Sequence, residues 1–64
     1  MGEEAGLRER FLKIYPNIPL KLRSETIVII DKEPVSWKAA YIEVYNNTEK
    51  SRKILKKLDE LKII

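Results

Sequence analysis

A single α+β domain is the fold class this sequence predicts: a two-stranded antiparallel hairpin packed against three helices, in the order α-β-β-α-α. Three observations predict it. Apolar residues recur at helical spacing near both ends of the chain and again between Ser36 and Tyr45. The centre holds the uninterrupted β-branched run Thr26-Ile27-Val28-Ile29-Ile30. The chain has 64 residues and no internal repeat, linker or low-complexity stretch, so residues 1–64 read as one compact unit with one core.

The first helix is expected over residues 3–15, where Leu7, Phe11, Ile14 and Tyr15 fall at i, i+4, i+7 and i+8 and form one apolar stripe. Glu3 and Glu4 suit its start, where the helix dipole favours negative charge. Pro16 stops it, because proline has no N–H to give the helix ladder and restricts the residue before it. Asn17-Ile18-Pro19 is a connector. Leu20-Lys21-Leu22-Arg23 then alternates apolar and basic residues, the pattern of a half-buried strand. With Thr26–Ile30 as the second, more buried strand and Ser24-Glu25 as the turn, the expected hairpin covers roughly residues 20–30, and Asp31-Lys32-Glu33-Pro34 closes it as a polar loop.

Residues 36–45 satisfy a helical template, with Ser36 as N-cap and Trp37, Ala40, Tyr41, Val44 and Tyr45 at i, i+3, i+4, i+7 and i+8. Residues 41–45 also have strong β propensity, but strand alternation would put Glu43 on the tyrosine face, so the helix is preferred. Asn46 is the expected cap of the last helix, with Glu49 at capping-box spacing. Over residues 48–62 that helix places Ile54, Leu55, Leu58 and Leu61 on one face.

Composition excludes much chemistry. The chain has no cysteine, no histidine and no glutamine. A disulfide framework, a thiolate nucleophile, an imidazole base and a Cys/His zinc site are therefore ruled out. The only glycines are Gly2 and Gly6, so there is no Gly-rich phosphate loop. Ser24, Ser36, Thr48 and Ser51 all sit at turn or cap positions, and a chain this short has little room for a water-excluding cleft. Asp31 and Glu33, flanking Lys32, read as a polar turn and not as a metal site. The expectation is a chain that is not an enzyme and uses no cofactor, metal or small-molecule substrate. The acidic N-terminus lacks an apolar core and the longest apolar run is Ile27–Ile30, so a cytoplasmic protein without a membrane anchor is expected. With 36% charged residues and no cysteine or glutamine, the composition resembles that of thermophile proteins.

The net charge is +3, and all of it lies in residues 49–64, which hold six bases and three acids. Lys50, Arg52, Lys53, Lys56 and Lys57 carry no acid among them and fan over the side of the last helix opposite its apolar stripe. They are the candidate nucleic-acid contacts, since such a face can neutralise phosphates. Trp37 and Tyr41 read as core, whereas Tyr45 stands at a helix end, where it can be buried or exposed. The apolar terminus Ile63-Ile64 either folds back or joins an interface. A domain near this size buries only roughly 60% of the surface its unfolded chain exposes, which favours a partner or self-association. Tyr45, Ile63 and Ile64 are the candidate interface. The function expected is therefore a small non-catalytic interaction module, docking on a protein or on itself; the alternative is a nucleic-acid-binding module using the basic face of the last helix.

Overall fold

The structure, a computed structural model, describes residues 2–64, with side chains from Gly6 onward. The first helix, α1 (Gly2–Ile14), ends before Pro16 and runs into a 3₁₀ turn, Tyr15–Asn17. The expected helix-start charges of Glu3 and Glu4 lie outside the described side chains. A second 3₁₀ turn covers Leu20–Leu22, followed by β1 (Thr26–Ile30), β2 (Glu33–Ser36), α2 (Trp37–Tyr45) and α3 (Glu49–Glu60). The order is α-β-β-α-α, with one two-stranded antiparallel sheet and three helices.

The expected hairpin is displaced by one element. Leu20–Arg23 is not a strand: Leu22 N–H donates to Pro19 O and Arg23 N–H to Leu20 O, curling the segment into a 3₁₀ turn. Its two apolar residues do not line a buried face: Leu20 is 76% exposed and Leu22 40%. Arg23 fixes the geometry instead, its guanidinium donating to Ile18 O and Pro16 O while lying 4.7 Å from the centre of the Tyr15 ring. The partner of β1 comes from the other side, where Glu33–Ser36 pairs back in the register Ile30↔Glu33, Ile29↔Pro34 and Val28↔Val35. A bulge at Ile27 then brings Thr26 opposite Ser36.

Asp31 and Lys32 make the two-residue turn with φ of 51° and 71°. Left-handed backbone at both central positions is the signature of a type I′ turn, whose twist matches the strands it joins. The turn forms without glycine or asparagine. In such a hairpin the flanking residues, Ile30 and Glu33, exchange both hydrogen bonds, and the next pair outward, Ile29 and Pro34, exchanges none. Pro34 therefore withdraws nothing from the ladder, and a proline is tolerated inside a strand.

Helix α2 begins as expected, with Ser36 Oγ accepting from Ala39 N–H at 3.1 Å. Its end differs from expectation. Asn46 terminates α2 and does not cap α3. Asn47 adopts φ 54° and donates its N–H to Val44 O, while Thr48 N–H reaches Glu43 O, a Schellman motif with asparagine at its left-handed position. Thr48 is at the same time the N-cap of α3, its Oγ1 accepting from Ser51 N–H at 3.1 Å. The same hydroxyl donates to the Glu43 carboxylate. Helix α3 ends in a second Schellman motif, with Lys62 at φ 60°, Lys62 N–H on Asp59 O and Ile63 N–H on Leu58 O.

The core joins Leu7 and Phe11 of α1, Tyr15, Val28 and Ile30 of β1, Val35 of β2, Ala40 and Val44 of α2, and Ile54, Leu55 and Leu58 of α3. Leu61, expected on the same face of α3, is 51% exposed because the helix closes there and its successor turns left-handed. Arg8 Nε donates to Val44 O at the end of α2, where a cation suits the helix dipole. Arg10 Nη2 bonds both Asp59 Oδ1, at 2.8 Å, and Ile64 O, at 3.0 Å, and so ties α1 to the chain end. No helix of the described residues is long and apolar enough to cross a membrane.

Two stability predictions follow from these turns. Lys32→Gly relieves a left-handed non-glycine residue, and the relief outweighs the added freedom of the unfolded chain, so stability should rise by about 0.5–1 kcal/mol. Thermal unfolding should show this as an increase of a few degrees; an unchanged or lower midpoint would mean the turn carries no such cost. Thr48→Ala should lower stability by about 1 kcal/mol through the lost cap, with Thr48→Ser retaining most of it. Urea unfolding with an unaltered slope is the check.

Candidate functional site

Two surfaces gather the residues with functional chemistry. The first is the outward side of α3. Ion pairing with the hairpin turn takes up part of its positive charge: Lys50 Nζ lies 2.8 Å from Glu33 Oε1, and Lys53 Nζ lies 3.1 Å from Asp31 Oδ2. These bonds span 17 and 22 residues of sequence. The carboxylates of the expected polar turn thus reach across to α3. The hydrogen bond to Glu33 and its negative charge, with smaller charge contributions from Glu43 and Asp31, hold the Lys50 ammonium above its ordinary value. Arg52 lies on the same exposed side. Lys56 and Lys57 are exposed, and no ion pair engages either of them among the described residues. The five basic residues are therefore on one side of one helix, as expected, but they do not form an uninterrupted positive face.

The second surface is an aromatic column that crosses from the end of α1 to α2. The Tyr15 and Tyr41 rings stack with centroids 4.3 Å apart and 12° between planes, and Tyr41 leads to Tyr45 at 5.9 Å. Phe11 contacts both Tyr15 and Trp37, at 6.0 and 5.8 Å. The rings pass from the interior to solvent: Phe11 is fully buried, Trp37 and Tyr41 are partly buried against the core, and Tyr45 is 63% exposed. Leu12, Tyr15, Pro16, Arg23, Tyr41 and Tyr45 line an open depression of about 450 Å³. Sequence periodicity placed Tyr41 and Tyr45 on one stripe; the approach of Tyr15 and Arg23 depends on the 3₁₀ turns and had no sequence signal.

The candidate interface residues separate. Tyr45 projects to solvent, with its carbonyl at the Arg8 guanidinium. Ile63 and Ile64 fold back and pack, partly buried, against the core. Ile29, Ile42, Leu20, Leu22 and Leu61 join Tyr45 as exposed large apolar side chains. Among the described residues no group of three or more acids is placed to hold a metal ion. No protein-family model, no curated protein and no solved structure matches the chain.

The Lys50–Glu33 pair has a directional signature. Because the folded-state value of Lys50 is raised, the pair's contribution is present below the ordinary lysine value of 10.5 and is lost as pH climbs through the raised one. Glu33→Gln should move the Lys50 titration, followed by NMR at its ε-methylene, to lower pH. An unmoved titration would show that the two groups do not interact in solution.

Proposed function

We propose that this chain is a non-catalytic interaction module that docks on a protein, a second copy of itself included. One observation carries the reading: the fold occupies charge and leaves apolar surface open. Two of the five basic residues suited to phosphate contact, Lys50 and Lys53, are engaged by hairpin carboxylates. Meanwhile Tyr45 and Ile29, each 63% exposed, together with Ile42, Leu20, Leu22 and Leu61, remain at the surface of a domain too small to spare apolar area. Tyr45 suits such a role, since an aromatic ring with a polar tip gives large contact area at low entropic cost.

Light scattering at low and high salt, with and without a short mixed-sequence nucleic acid, tests the proposal. A mass unmoved by nucleic acid at either salt is expected. Addition of nucleic acid that raises the mass at low salt, with the gain lost at high salt, would assign the function to the basic side of α3 instead.

A further inference from the structure

We propose that the open edge of β1 and the adjoining flank of α3 form a docking groove for an extended acidic peptide, which adds to the sheet as a third strand. The proposal rests on the reading of the domain as a docking module and names the partner chemistry and the place. It begins from the two edges of the sheet, which are not equivalent. Pro34 stands opposite Ile29 in a pair that exchanges no hydrogen bond, so the position where its N–H would be points out of the β2 edge. That edge lacks a donor at its centre and is blunted. The β1 edge has no proline, and its bulge at Ile27 lies two residues before Ile29. Thr26–Ile30 contains no proline and no charge, and the same alternation aims the N–H and C=O of Ile29 outward. The register gives neither group a partner in β2, and no turn, loop or cap hydrogen bond among the described residues takes up either one.

The flank beside this edge selects the occupant. Ile29, Ile30 and Asp31 on one side and Lys53, Lys56, Lys57 and Glu60 on the other line a groove of about 370 Å³ that includes no residue of β2. Asp31 is already held by Lys53 at 3.1 Å. Lys56 and Lys57 are left as the ammonium groups facing an occupant, with Glu60 as the opposing charge. Backbone donors and acceptors call for an extended chain, and the lysines call for carboxylates on it. A second copy fits poorly, because pairing β1 with β1 about a two-fold axis would set its own lysine flank against this one. Side chains alternate along a strand, and Val28 and Ile30 face the core while Ile29 faces solvent. The peptide should therefore alternate too, with acids toward α3 and apolar side chains beside Ile29.

The test is an ¹⁵N NMR titration of the full chain with a short peptide alternating Glu and Val, its Lys-Val counterpart, a Glu-Val peptide N-methylated on alternate amides, and a single-stranded oligonucleotide. Expected are shifts centred on residues 27–31 with the Glu-Val peptide, slowed exchange at the Ile29 amide, and no binding by the other two peptides. Affinity should fall about tenfold or more in a Lys56→Glu/Lys57→Glu variant, whose exposed sites leave the spectrum folded. Equal binding of the N-methylated peptide, or shifts that avoid residues 27–31, would overturn strand addition. Silence toward both peptide and oligonucleotide would overturn it too, without touching the wider docking reading. Binding of the oligonucleotide alone, on α3, would overturn both.

Discussion

The burial of one side of α3 is the interaction on which the rest of the domain depends. A two-stranded hairpin is marginal by itself and needs a helix against its apolar face. Ile54 and Leu58, both fully buried, and Leu55 supply the apolar side of α3, which packs on α1 and α2 as well as on β1. The helix is amphipathic enough to do this because its apolar residues recur every three or four positions, with nearly every other position charged. Truncating Ile54 or Leu58 would open a cavity under three elements at once, the costliest kind of substitution in a core this small.

Arginine and lysine divide the remaining labour. Arg8, Arg10 and Arg23 each spend their planar fork on backbone carbonyls: at the end of α2, at the chain terminus, and at the carbonyls of Pro16 and Ile18. Lys50 and Lys53 act as point charges that fix α3 to the hairpin turn. These pairs are exposed and contribute modestly to stability. Their larger effect is on the surface field, because each pair cancels a positive charge where a phosphate-binding face would need one. A net charge of +3 is then compatible with a surface that is patchy in sign.

The three helices were legible because each rests on local periodicity: Leu7 and Phe11, then Ala40 and Val44 behind the Ser36 cap, then Ile54 and Leu58. The identity of β1 was legible for the same reason, in its β-branched run. Its partner was not. Leu20 and Leu22 alternate like strand residues, and Pro34 looks like a strand breaker, yet which of the two segments pairs depends on turn geometry. The turn itself hides its type, since Asp31 and Lys32 adopt left-handed backbone without the usual glycine. The cap of α3 lies two residues beyond Asn46, at Thr48, because Asn47 takes the left-handed position that ends α2. The basic side of α3 was visible as a set of residues, but its partial neutralisation was not, because the neutralising acids are distant in sequence. Exposure of Tyr45 is one of the two outcomes its helix-end position allows, whereas the stacking of Tyr15 on Tyr41 depends on the fold.

The doubling of roles at Thr48 has a consequence for how the domain opens. Its amide closes α2 and its hydroxyl starts α3, so no flexible linker lies between the two helices. Fraying of either end would strip the other of a partner, which couples the two helices into one cooperative unit.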